Sequence, residues 1–227
     1  MDGLFAERSD RWTQEHGAQW WDRFYSDRSR PVPFFSPKPD ENLVAIVQAG
    51  LVPAGRALDL GSGPGGNAIH LAREGFEVVA VDLSPEAIRW RQDRAAEAGV
   101  DVMFVGGDAF DAHTVTGTYD FVYDSGCFHH LPPHRRVSYL ALLERVLRPG
   151  GVLGLTCFAR GQMGSELPDA QLYRDGEFEA GVAYSADDLR WIFERYDLIE
   201  CRPQRAQDDA SPWFGETFLL SALFRSP

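Results

Sequence analysis

From Arg56 onward, runs that read as strands alternate with runs that read as helices, a pattern that predicts a mostly parallel sheet covered by helices on both faces. RALDLG opens the series as a strand, GGNAIHLARE follows as a helix stopped by Gly75, and EVVAVDL is the second strand. Ser84 and Pro85 stand where a helix N-cap and first helical residue belong. That helix runs to about Ala98, with Gly99 placed for a left-handed stop. VMFVGGD predicts a third strand, YDFVYDSG a fourth, and GVLGLTCF, after the RPGG turn, a fifth. Between the fourth and fifth, His134 to Leu147 reads as a helix with Val137, Leu140, Leu143 and Leu147 on one side.

The flanks differ from this core. Trp12, His16, Trp20 and Phe24 recur every four residues, with Trp21 and Tyr25 beside them, which predicts an amphipathic helix. RPVPFFSPKP holds four prolines in ten residues and cannot be helical; it predicts an extended aromatic strap leading to a helix around Leu43 to Gln48. After Phe158 comes an unpatterned segment of roughly twenty-five residues, longer than ordinary connections and so a functional lid. Ser185 and Asp188 form a capping pair for a helix through Tyr196, and strands near Leu198 to Ala206 and Glu216 to Arg225 close the chain. The whole reads as one domain over residues 1–227, with 1–40 as helix and strap and 159–184 as the lid insertion.

The 227 residues carry a formal charge of −12, which argues against nucleic acid as a partner because no surplus of Lys and Arg can displace counterions. No run reaches the roughly eighteen apolar residues of a membrane span, and MDGLFAERSD lacks a signal-peptide core, so a cytoplasmic protein without a membrane partner is expected, as a monomer or homodimer. Cys127, Cys157 and Cys201 are spaced for neither a disulfide framework nor a zinc site and read as thiols.

Ligands of open α/β sheets bind beyond the carboxyl ends of the strands, and here four strands end in acids. Asp59 leads into the loop Gly61, Ser62, Gly63, Pro64, Gly65, Gly66; Asp82, Asp108 and Asp124 end the next three strands. Gly61, Gly63 and Gly66 also spell the dinucleotide pattern, with Asp82 about twenty residues on, so an NAD-dependent oxidoreductase is the alternative from another class. Charge separates the two. A dinucleotide brings two phosphates toward Asp59 and Asp124, whereas S-adenosylmethionine brings an ammonium and a sulfonium that carboxylates favour. Glycines let the backbone approach a ligand, and Asp82 is placed to accept from both ribose hydroxyls.

These residues resemble class I S-adenosylmethionine-dependent methyltransferases: ALDLGSGPGG is similar to their first motif, VVAVDLSPEAI to the second, GGDAF to the third, and YDFVYDSGCFHHLPP with LRPGG to later ones. The resemblance spans roughly Leu58 to Phe158. It implies a Rossmann-like, doubly wound, seven-stranded sheet with a reversed last strand. It also implies S-adenosylmethionine held by Asp59, Gly61, Gly63, Asp82, Leu83, Asp108, Ala109 and Asp124, and S-adenosylhomocysteine as product. Gly65, Asn67, Ser84 and Ser125 adjoin these positions and complete the expected set. The flanks WWDRFYSDRSRPVPFF and WFGETFLLSALFR resemble the thiopurine and tellurite-resistance methyltransferase group, where an aromatic strap closes over the cofactor; Trp20, Trp21, Tyr25 and Phe35 are the residues here that match that role. SGCFHHLP departs from that group's wording.

For the acceptor, the sequence offers a small molecule held among Phe35, Phe128, Phe158, Glu166, Tyr173 and Trp213. A thiol of pKa about 8.5 costs only about 2 kcal/mol to ionise at pH 7, so a thiol S-acceptor needs no strong base and is preferred. An oxygen or nitrogen acceptor needs one, and His129 and His130, just after the fourth strand, are the candidate catalytic bases. A metal site from His129, His130, His134 and Asp124 is not expected, because Pro132 and Pro133 break the helix that would align them.

Overall fold

The computed structural model describes residues 16–52, 54–175 and 181–227. Seven strands form one sheet: β1 Arg56–Leu60, β2 Glu77–Asp82, β3 Met103–Gly106, β4 Tyr119–Ser125, β5 Leu147–Phe158, β6 Asp197–Pro203 and β7 Leu219–Arg225, in the order β3-β2-β1-β4-β5-β7-β6. The first five are parallel, and β7 runs antiparallel to both β5 and β6. This is the Rossmann-like, mostly parallel seven-stranded sheet with a reversed last strand expected from the sequence.

The central strands read as nearly unbroken apolar runs because both faces are covered. On one face Leu43 and Ile46 of α2 (Glu41–Gln48) and Leu71 of α3 (Gly66–Arg73) pack on Ala57, Val78, Ala80, Phe121 and Tyr123 of the sheet. On the other, Leu58, Leu60, Val79, Val81, Val122 and Leu153 meet Tyr139, Leu142 and Leu143 of α5 (Arg136–Val146) and Leu189 of α7 (Ala186–Ile192). The remaining helices are α1 (Gly17–Ser26), α4 (Pro85–Ala98) and α6 (Asp169–Asp175).

Local chemistry accounts for the boundaries. Ser84 caps α4 by accepting from the Ala87 N–H at 3.1 Å, Pro85 takes the first position, and Gly99 closes the helix at φ +65°. Ser185 and Asp188 form the reciprocal capping box of α7. Asp22 of α1 accepts from Ser84 Oγ at 3.0 Å and the Glu86 N–H at 2.7 Å, tying the amino-terminal helix to the start of α4.

Several expectations are corrected. The helix predicted from His134 is a short 3-10 turn, Pro133–Arg135, followed by α5. Its buried stripe is Tyr139, Leu142, Leu143 and Val146, which pack in the core under the sheet, and Val137 on another face of the helix is 73% exposed. The segment after Phe158 is not structureless: it contains α6, and bridges pair Ala159 with Tyr184 and Ser165 with Val182. α7 stops at Ile192 rather than Tyr196. Trp12 and residues 176–180 of the lid segment lie outside the described residues.

Candidate active site

Beyond the carboxyl ends of β1, β2 and β4, the loops and α1 enclose a cavity of about 460 Å³, within the range of small-molecule sites. One half is polar and lies over the glycine loop; the other is apolar and lies under the strap and the carboxyl end of β5.

The polar half is built by strand parity. Asp59 and Asp82 share a sheet face with Ala57, Ala80 and Tyr123, and both line the cavity. Asp82 accepts from the Gly63 N–H at 2.8 Å and the Ser84 N–H at 2.9 Å, which fixes its carboxylate yet leaves lone pairs for a ligand's hydroxyls. Asp59 is 1% exposed and its Oδ2 has no hydrogen-bond partner among the described residues. Burial pushes its pKa up to about 8; Arg91 opposes the rise, while Asp40, Asp124 and Asp82 add to it. A buried, unpaired carboxylate oxygen on a cavity wall is a seat for a donor that the protein does not supply.

The glycine loop meets its surroundings too closely for side chains. A Cβ on Gly61 would lie 2.9 Å from Cys127 Cβ, and one on Gly65, at φ +84°, would lie 2.7 Å from Arg91 Cβ. Tyr25 from α1 is buried with its hydroxyl over Gly63, and Asn67, Leu83, Asp108, Ala109 and Ser125 complete the lining expected from the sequence. Asp108 accepts from the Phe110 N–H at 2.9 Å and lies 3.5 Å from Arg135, whose guanidinium covers the Phe110 ring.

The apolar half brings together Trp21, Phe34, Phe158, Met163, Phe214 and Phe218, and His129 and His130, which also line the cavity, contact Phe158 and Trp21 of this half. His129 is 3% exposed and stacks on Phe158 at 3.7 Å; its carbonyl accepts from the Val182 N–H at 2.8 Å, so the returning lid segment pins it. His130 sits edge-on to Trp21 at 5.1 Å.

Other expected site residues lie elsewhere. Asp124 does not line the cavity: it is in register with Leu60, on the opposite face from Asp59, and accepts from the Cys127 and Phe128 N–H groups and, at 2.9 Å, from the Tyr139 hydroxyl. Burial nonetheless raises its pKa to about 7. Ser84 is spent as a helix cap, and Trp20 stacks on Phe24 outside the lining. Phe35 is buried against Trp90, and Phe128 among Tyr139, Tyr184 and Phe193. Glu166 accepts from the Gly161 N–H within the lid, Tyr173 faces His134, and Trp213 is outside the lining.

Two residues that motif reading does not reach matter here. Asp40, just before α2, is 3% exposed and lines the cavity. Arg91, fully buried, donates to Ser62 Oγ and, at 3.3 Å, to the Val105 carbonyl behind the loop. Their signals differ: Arg91 falls at four-residue spacing between the buried Ala87 and Ala95, whereas nothing in the sequence marks Asp40.

Against known proteins, residues 57–151 match a family described as a methyltransferase domain. That stretch of the chain is similar to a methyltransferase domain. It holds the glycine loop, Asp59, Asp82, Asp108 and both histidines. A 2-heptyl-1-hydroxyquinolin-4(1H)-one methyltransferase from Mycobacteroides abscessus is 31% identical over 123 residues, covering 54% of this chain and 53% of that protein. The chain spans about half the length of the curated relatives it matches. A structure solved for the conversion of a disulfide bond into a thioacetal group during echinomycin biosynthesis is 27% identical, with a TM-score of 0.71 and 92% of each chain covered. TehB from Haemophilus influenzae, at 17% identity and a TM-score of 0.62 over 82% of this chain and 62% of that one, shares the fold.

Among the described residues no group of His, Cys, Asp and Glu is arranged to hold a metal ion, and no helix is long and apolar enough to cross a membrane.

Proposed function

We propose that this chain transfers the methyl group of S-adenosylmethionine to a small molecule, with a sulfur acceptor preferred. The observation that carries the reading is the Asp59 carboxylate, buried on the cavity wall with an unpartnered oxygen, above a loop where side chains do not fit. A cationic amino-acid group suits that oxygen. Asp82 offers lone pairs at the end of the second strand for a ribose, and Leu83, Asp108, Ala109 and Phe110 form the wall beyond it, where an adenine fits.

When bound, S-adenosylmethionine supplies a methyl group already activated by its sulfonium. The chain's own contribution is alignment and exclusion of water, and orientation of two reactants is worth roughly 7 to 11 kcal/mol. The glycine loop and Asp82 set the donor's depth. Tyr25 and the α1 aromatics cover it from above, and Phe158, Phe214, Phe218 and Met163 give the acceptor a largely apolar bed. Such a bed favours a soft, weakly hydrated nucleophile. The sulfur preference also draws support from the 27% identical structure, whose described chemistry takes place at a disulfide. The aromatic strap over the cavity supports a place beside the thiopurine and tellurite-resistance group.

A second reading has its own observation. His129 and His130 both line the cavity at its donor-acceptor junction, which suits an oxygen or nitrogen acceptor with one imidazole taking the proton; the quinolone methyltransferase relative points the same way. The test is transfer of labelled methyl to panels of thiols, phenols and amines, with His129→Ala and His130→Ala compared across pH. The sulfur reading expects thiols to be the best acceptors, with both variants within about threefold of the parent. Loss of about a hundredfold or more in one variant on a phenol or amine, with thiols poor, establishes the second reading. Tight S-adenosylhomocysteine binding with no acceptor methylated would make the protein a sensor.

A further inference from the structure

Asp40 is among the most enclosed carboxylates of the molecule, and it is held by a chain of buried polar groups that hydrophobic packing alone does not call for. Its Oδ2 accepts from the Tyr123 hydroxyl at 2.6 Å, and Ser125 and Asn67 also hydrogen-bond the carboxylate. Its backbone N–H donates to Asn67 Oδ1 at 2.9 Å. Tyr123 accepts in turn from Asn42 Nδ2 at 3.1 Å, and Asn42 Oδ1 accepts from the buried Gln204 Nε2 at 2.7 Å. The chain runs from the cavity wall to the segment after β6. Buried polar groups cost stability unless each is satisfied, so a network of this extent points to a carboxylate whose position matters.

That position is beside Asp59. Tyr123 and Asp59 are register partners on β4 and β1, so the hydroxyl that fixes Asp40 rises from the residue next to Asp59. Both residues line the same cavity, and Asp59 Oδ2, buried behind its wall, has no hydrogen-bond partner among the described residues. Arg91, a buried cation that acts on Asp59 through its charge, donates from its terminal nitrogens to Ser62 Oγ and the Val105 carbonyl rather than to either carboxylate. A primary ammonium carries three donors and can satisfy Asp59 Oδ2 and an oxygen of Asp40 together. We infer that Asp40 and Asp59 form a paired-carboxylate seat for the ammonium of the donor's amino-acid portion, with Asp40 the member that no sequence motif assigns. Burial raises the pKa of both acids, and the charge of Asp40 is among the causes that raise Asp59's, as expected for two acids close to one another.

The inference rests on the cofactor reading above, and a pair of ligands separates the two. S-adenosylhomocysteine carries the ammonium; 5′-methylthioadenosine keeps the adenosine and thioether but lacks the amino-acid portion. Isothermal titration of the full chain measures both, for the parent, Asp40→Asn and Tyr123→Phe. Asp40→Asn is expected to weaken S-adenosylhomocysteine at least about tenfold while leaving 5′-methylthioadenosine within twofold. Tyr123→Phe, which removes only the orienting hydroxyl, is expected to show a smaller loss with the same ligand preference. Unchanged S-adenosylhomocysteine affinity in Asp40→Asn overturns the inference, as does an equal loss on both ligands. Should Asp40→Asn fail to fold, equal affinities of Tyr123→Phe and parent for S-adenosylhomocysteine overturn it as well. A parent that binds neither ligand refutes the cofactor reading itself, and the ammonium seat falls with it.

Discussion

Donor binding should expel a proton. With its pKa pushed up to about 8 by burial, Asp59 is expected to be about nine-tenths protonated at pH 7 before the donor binds. A cation brought to about 4 Å from Oδ2 stabilises the ionised form by about 4 kcal/mol at an effective dielectric of about 20, equivalent to about 3 pKa units. The bound-state pKa then falls to about 5, and close to one proton, about 0.9, leaves on binding at pH 7. Affinity for S-adenosylhomocysteine should also rise by up to about tenfold per pH unit between about pH 5 and 8. The assay is isothermal titration at pH 7 in buffers of different ionisation enthalpy, where the slope of apparent enthalpy against buffer enthalpy counts protons. Asp59→Asn should bring the slope close to zero. A parent slope near zero, or one unchanged in the variant, would refute the assignment of a protonated Asp59 to the cation seat.

Two further outcomes follow from the same geometry. Because Asp59 titrates near 3.8 when unfolded and near 8 when folded, its contribution to stability is complete below about pH 4 and is lost as pH rises through 8; Asp59→Asn should therefore gain on the ligand-free parent by up to about 1.4 kcal/mol per pH unit across that window, and urea melts at pH 5 and 8 showing no such divergence would contradict the buried-acid account. Gly65→Ala combines left-handed strain with a Cβ at 2.7 Å from Arg91 Cβ and should destabilise the fold by about 2 to 4 kcal/mol, a prediction that fails if urea denaturation shows a loss under about 1 kcal/mol.

The sheet and the polar half of the cavity were legible because their determinants are local. Strand runs, caps at Ser84 and Ser185, and glycines at φ-demanding turns each act within a few residues. Parity along a strand is equally local. Counting alternate residues from Val122 puts Asp124 on the α5 face, away from Asp59, and that count is available without coordinates. Arg91 looks like a surface residue in RWRQDR, yet its spacing from Ala87 and Ala95 places it on the buried face of α4. The acceptor half was less legible. Phe128 and Phe35 are aromatic and adjacent to the site, but whether an aromatic lines a cavity or fills the core depends on neighbours far along the chain, here Phe193 for one and Trp90 for the other. Asp40 has the same limitation: its role arises where a proline-rich strap meets Asn67 and Tyr123, and no pattern around it encodes that meeting.

Four acids at four strand ends do not amount to a negative rim. Asp108 shares its charge with Arg135, Asp124 is consumed by backbone N–H groups and Tyr139, and Asp82 has Arg91 behind it. The lining acid left with an unpartnered oxygen is Asp59, whose pKa burial raises to about 8, with Asp40 beside it. Discrimination against a dinucleotide therefore cannot come mainly from repulsion. Three of the loop's own N–H donors are already in use. A pyrophosphate over a glycine loop needs free backbone N–H groups, and here Ser62 donates to the Val81 carbonyl, Gly63 to Asp82, and Gly65 to the Ser62 carbonyl. Lys38, on the cavity wall, directs its ammonium to the Asp209 carbonyl. A phosphate ligand would have to break these bonds, whereas a ligand that donates finds Asp59 Oδ2 waiting without a partner. The loop's spelling is shared with nucleotide-binding folds; the direction in which its hydrogen bonds point is what selects the donor.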